Sequence, residues 1–190
     1  MKSPFPKGLF EWGLIMIAAL SNKLEEKIGY EFKNKELLKQ ALTHSSFTNE
    51  QKINKQRNYE RLEFLGDAVL ELASSKFFFL NHPDMSEGEM TKLRSSMVCE
   101  PALAFCARDL GLGEYLYLGK GEEATGGRKR DSITSDVMEA LIGAIYLDSG
   151  FEEAEKFILK FILSDLESKQ LFSSFRFPCL PAYHRYKPPQ

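Results

Sequence analysis

At 190 residues, 43% hydrophobic and 27% charged, the chain can bury one sizeable core and reads as one globular unit with tails. A net charge of −2 and a pI near 6.0 exclude the all-over basic footprint of a strong nucleic-acid binder. Three cysteines, Cys99, Cys106 and Cys179, form no CxxC pair, which excludes a disulfide framework. Cys99 and Cys106 are read as core thiols on one buried helix face in a reducing, cytoplasmic compartment.

In chain order, the first apolar run, Gly13–Leu20, falls well short of the ~20 residues a membrane span needs. It lacks a small-residue cleavage site and is read as a surface or dimer-packing helix; no membrane association is expected. Leu24–Ile28 and Lys35–Leu42 show helical spacing, the latter with Asn34 as cap. Glu60–Leu80 is a long helix, apolar nearly all round and therefore expected to be buried. Ser86-x-x-Glu89 is a capping box opening a helix to about Arg94. Pro101 suits the first turn of the next helix, which ends near Gly111 and Gly113. Lys120–Arg130 reads as a charged, glycine-bearing loop. The last two helices are Thr134–Leu147, with Ser132 or Thr134 as cap, and Glu152–Ser168. Strand alternation is absent over any useful length, so the fold class is all-α.

Within the long helix, Glu60, Glu63 and Asp67 lie within about 60° of one face. A solvated acidic stripe is the ordinary explanation. It is weakened by a second pair, Asp136 and Glu139, in another apolar helix. If the two stripes face each other, they put four carboxylates around one cavity, the oxygen-rich environment of magnesium or manganese in phosphoryl chemistry. His44, His82 and His184 show no ExxH or HExxH spacing, which argues against zinc or di-iron sites. His44, beside Ser45 and Ser46, is read as structural. Gly119-x-Gly121 and Gly126-Gly127 do not follow a strand, so a nucleotide loop is not expected.

The run Glu60–Leu70, ERLEFLGDAVL, resembles the signature of the ribonuclease III family. Three further blocks resemble that family in the same order: Ala41–Ser46; Glu87–Arg94; and Gly126–Arg128 followed by Asp131–Ile133 and Asp136–Ala144. The likeness runs from about Leu24 to Leu166. It implies the family's helical endonuclease fold and metal-dependent hydrolysis of double-stranded RNA to 5′-phosphate and 3′-hydroxyl ends, in rRNA or mRNA precursor processing. Asp67 and Glu139 match the family's catalytic pair, Glu63 and Asp136 its other metal ligands, and Glu60 and Glu87 its supporting acidic positions. The implied cofactor is magnesium, with manganese substituting, and no small-molecule cofactor is expected. The segment from Phe64 to Leu72 is apolar on more faces than one core covers, which points to a homodimer. The resemblance implies the same contact, through Phe64 and Leu65. Lys92, Arg94, Arg128 and Arg130 stand where the family meets the RNA backbone.

The expected organisation is an N-terminal extension, 1–23; a catalytic domain, 24–168; and an irregular proline- and aromatic-rich tail, 169–190, where the family usually carries a double-stranded-RNA-binding domain. A silent RNA-binding or assembly module of the same fold is the alternative. Such a module would be expected to lose acidic positions, and all four carboxylates are intact.

Overall fold

Helix α8 (Asp131–Ser149) is the axis of the fold, because eleven of its 19 residues are buried. A helix apolar on most faces has to be wrapped by others. Around it pack α2 (Lys35–Ala41), α4 (Glu60–Asn81), α6 (Glu100–Asp109) and α9 (Phe151–Ile158). The structure, a computed structural model, describes residues 22–52 and 54–164. Residues 22–28 form α1, and α3 (Ser45–Glu50), α5 (Glu87–Met97) and α7 (Lys120–Ala124) complete the helices. A π-helical turn, Leu159–Leu163, follows α9. The described residues contain no strand, only an isolated parallel bridge between Thr43 and Tyr117. The fold is therefore all-α, with Leu24, Leu38, Leu70, Phe78, Leu103 and Leu141 in one core.

Local chemistry places the helix ends. Asn34 accepts a hydrogen bond from the Glu36 amide and starts α2. Ser86 and Glu89 make both halves of the capping box at α5. Pro101 sits in the first turn of α6, where its missing N–H is harmless. Asp148, near the end of α8, accepts hydrogen bonds from the Tyr30 hydroxyl and the Lys33 and Asn34 amides. That carboxylate ties the α1–α2 connection to the far end of the central helix, and these bonds hold it below the usual range against the opposing effect of burial.

Several expectations need correction. Helix α4 is not buried all round: Phe64, Leu72 and Phe79 are 82%, 59% and 70% exposed, one side facing outward. Helix α8 begins at Asp131, earlier than its apolar pattern, and neither Ser132 nor Thr134 caps it. The Thr134 hydroxyl bonds back to the Arg130 and Asp131 carbonyls instead. Cys99 is the residue before α6 rather than part of its buried face, whereas Cys106 is buried within it. The stretch 120–130 is not a plain loop, since it holds α7 and a 3-10 turn, Gly127–Lys129. Gly13–Leu20, Cys179, His184 and the tail 169–190 lie outside the described residues.

Candidate active site

Helices α4 and α8 cross with their backbones in contact. A Cβ added at Gly66 would stand 1.8 Å from the Glu139 carbonyl oxygen, and one at Gly143 would stand 2.3 Å from that of Leu62. Real Cβ atoms do not approach so closely, so only glycine at both positions permits this crossing. Beside it, α4 contributes Glu63 and Asp67, and α8 contributes Asp136 and Glu139.

The electrostatics show that these four carboxylates share one environment. Glu139 is pushed up to about 8, first by burial and then by the charges of Asp67, Glu63 and Asp136. Glu63 is pushed up to about 7 by burial, then by Asp136, Glu60 and Asp67. Asp136 is also raised by burial, against a hydrogen bond from Tyr59 that lowers it. None of the four is in an ion pair among the described residues. Glu63, Asp136 and Glu139 are half-buried and Asp67 is exposed; carboxylates that repel one another without an ion-pairing partner form a donor set suited to a hard divalent cation. The side chains are not pre-converged, however: among the described residues no three His, Cys, Asp or Glu form a ready-made metal site.

Other expected residues divide. Glu60 is exposed at the start of α4 and its charge reaches Glu63. Glu87 is exposed on α5, bonded by Thr91, and its charge is not among those acting on Glu63, Asp136 or Glu139. Phe64 points outward and Leu65 is half-buried. Of the basic residues, Lys92 is exposed. Arg94 lies 2.8 Å from Glu71 in an ion pair without hydrogen-bond alignment and donates to Ser75 at 2.6 Å. Arg128 pairs with Glu123 and donates to the Gly113 and Leu116 carbonyls, both at 2.9 Å. Arg130 pairs with Glu122. Three of the four are thus engaged inside the protein.

Two features were missed. Tyr59, 4% exposed, donates from its hydroxyl to Asp136 Oδ2 at 3.3 Å, and the charges of Glu100 and His44 also reach Asp136. Tyr59's place directly before Glu60 was the available signal. The glycines were the second, because glycine inside a helix costs about 1 kcal/mol against alanine and so implies a close approach. His44 is structural as expected, its Nδ1 accepting from the Ser46 amide at the start of α3.

A family model described as Ribonuclease-III-like matches residues 34–166. The chain belongs to that family. It is 50% identical over 145 residues to Ribonuclease 3 of Bacillus licheniformis, covering 76% of this chain and 58% of that protein. Ribonuclease 3 of Caldanaerobacter subterraneus is 56% identical over 136 residues, covering 72% of this chain and 59% of that protein. The chain therefore spans less than two thirds of these relatives' length. The nuclease domain of ribonuclease III from Campylobacter jejuni superposes with a TM-score of 0.70 at 45% identity, over 75% of this chain and 95% of that one. Dicer from Giardia intestinalis matches with a TM-score of 0.60 at 22% identity, a likeness of fold alone, over 78% of this chain and 19% of that one.

Proposed function

We propose that the chain is a divalent-cation-dependent endoribonuclease for double-stranded RNA, acting in rRNA or mRNA precursor processing. The observation that carries this reading is the placement of Glu63, Asp67, Asp136 and Glu139 on the two helices that meet at the Gly66–Gly143 crossing, electrostatically coupled and in no ion pair among the described residues, in a member of this family. These four residues would hold magnesium, or manganese in its place. Once bound, the cation supplies charge neutralisation at the scissile phosphate and a more acidic water. The chain's own part is to bind and orient: α4 and α8 present two carboxylates each, and the glycine contact sets the distance between the helices. Asp67 and Glu139 would be the catalytic pair, and the products would carry 5′-phosphate and 3′-hydroxyl ends. Glu60 and Glu87 are assigned to the supporting acidic positions that help the dimer and the RNA-cutting site.

The working unit is a homodimer. Phe64, Leu72 and Phe79 form an exposed apolar stripe on α4, next to a groove of about 470 Å3 between α4 and α5 with Phe78 and Met90 in its lining. The Campylobacter structure is described as having a region involved in dimer formation. No helix among the described residues is long and apolar enough to cross a membrane. We place the protein in the cytoplasm, where the thiols of Cys99 and Cys106 stay reduced.

The test is a gel assay of the purified chain on long duplex RNA, with magnesium and with EDTA. Cleavage in magnesium alone is expected. Duplex that is bound but uncut in magnesium would overturn the reading and leave a binding module.

A further inference from the structure

We propose that Tyr59 is a positioning residue for Asp136, its hydroxyl fixing one carboxylate oxygen so that the other remains available to a cation. This rests on the reading of the four carboxylates as a cation site. Three anchors hold Tyr59 in place. Its backbone amide donates to the Thr43 carbonyl at 2.9 Å. Its ring lies 5.7 Å from that of His44. Its hydroxyl reaches Asp136 Oδ2 at 3.3 Å.

The anchors are themselves fixed. Thr43 is bridged to Tyr117, whose amide donates to the Leu42 carbonyl, and the His44 amide donates to the Tyr117 carbonyl. The α2–α3 junction thus becomes a rigid mount for a ring that is 4% exposed. A tyrosine phenol is protonated at neutral pH. It keeps its proton and serves Asp136 only as a donor. Among the described residues, Asp136 is the one of the four carboxylates that accepts a side-chain hydrogen bond from outside its own helix. Carboxylates that ligate cations are oriented by such outer partners, and without them the ligand must be ordered at the moment of binding.

The decisive variant is Tyr59→Phe, which keeps the buried ring and removes only the hydroxyl. Manganese binding to the full chain is measured by electron paramagnetic resonance in wild type, Tyr59→Phe and Glu139→Gln, alongside metal-free thermal unfolding. Wild type is expected to bind, Glu139→Gln to lose binding, and Tyr59→Phe to bind about tenfold more weakly, the scale of outer-partner losses. The metal-free midpoint of Tyr59→Phe should stay near that of wild type. Equal manganese affinity in wild type and Tyr59→Phe overturns the positioning role while leaving the cation site standing. A wild-type chain that binds no manganese overturns the cation site itself. A weakened Tyr59→Phe whose metal-free midpoint has collapsed marks a packing role and also overturns the proposal; Tyr59→Leu, which removes ring and hydroxyl together, then shows how much the ring alone supports.

Discussion

Gly66 and Gly143 lie against each other's main chain: a Cβ on Gly66 would come within 2.9 Å of the Gly143 amide nitrogen, and one on Gly143 within 3.1 Å of the Gly66 nitrogen. The obstacle is rigid helical backbone, so a methyl group at either place has to drive α4 and α8 apart. Gly66→Ala and Gly143→Ala are each expected to cost about 3 kcal/mol or more, at the upper end for overpacking. The loss should appear as a fall of roughly 6–12 °C in the melting midpoint. Midpoints unchanged in both variants would mean that the crossing is looser than described.

Replacing Glu139 by Gln keeps size and removes charge. Glu139 is raised by burial and by three neighbouring anions, so the neutral amide relieves repulsion in the metal-free protein. The variant should fold as well as wild type, or better at pH 8–9, while cleavage of duplex RNA is lost. Near-normal cleavage by Glu139→Gln would remove Glu139 from the site.

The raised carboxylates also set a pH dependence. Glu63 and Glu139 titrate at about 7 and about 8 in the folded protein, against an ordinary value of 4.5. Between 4.5 and about 8 the native state holds more protons than the unfolded state, so metal-free stability should fall as pH rises through that window. Magnesium must displace those protons, so its affinity should grow with pH and its binding should release protons near neutrality. Calorimetric titration in buffers of different ionisation heat measures the release; none at pH 7 would contradict the assignment.

Phe64 is 82% exposed and supports no core of its own. Phe64→Asp should leave metal-free stability within about 0.5 kcal/mol, as surface substitutions do. Light scattering should nevertheless show a shift from dimer to monomer. A wild-type chain that is monomeric at micromolar concentration would defeat the dimer assignment.

Arg128 and Lys92, both expected on the RNA backbone, should behave differently. Arg128 holds two buried-side carbonyls and Glu123, so Arg128→Ala should cost about 1–3 kcal/mol of stability. Lys92→Ala should leave the melting midpoint alone and reduce the salt slope of RNA binding by about 1. Identical behaviour of the two in both measurements would refute the distinction.

Much of this was legible in one dimension because it is local. The cap at Asn34, the Ser86–Glu89 box and Pro101 each follow from residues within a turn of one another, and the structure has all three. The acidic stripes were legible for the same reason, since spacing fixes a helix face. What escaped depends on partners far along the chain. Nothing in the spacing around Gly66 says that Gly143 meets it, and nothing around Asp136 says that Tyr59 does. How much of α4 faces outward is not fixed by its sequence, because an apolar residue facing a second protein surface has the same composition as one facing a core. For Arg128 and Arg130, the acidic partners Glu123 and Glu122 stood only five and eight residues away. Their pairing depends on how α7 and its following turn fold back, which charge alone does not encode.

The spacing of the four carboxylates also sets when the site comes into being. Glu63 emerges early during synthesis, whereas Glu139 lies in a helix that closes only at Ser149. Domains fold as units while the chain grows from its N-terminus, and contacts this distant in sequence form late. A nascent chain that has not yet released α8 has two of the four carboxylates and no Gly66–Gly143 crossing, so the proposed site is assembled only once both helices are present.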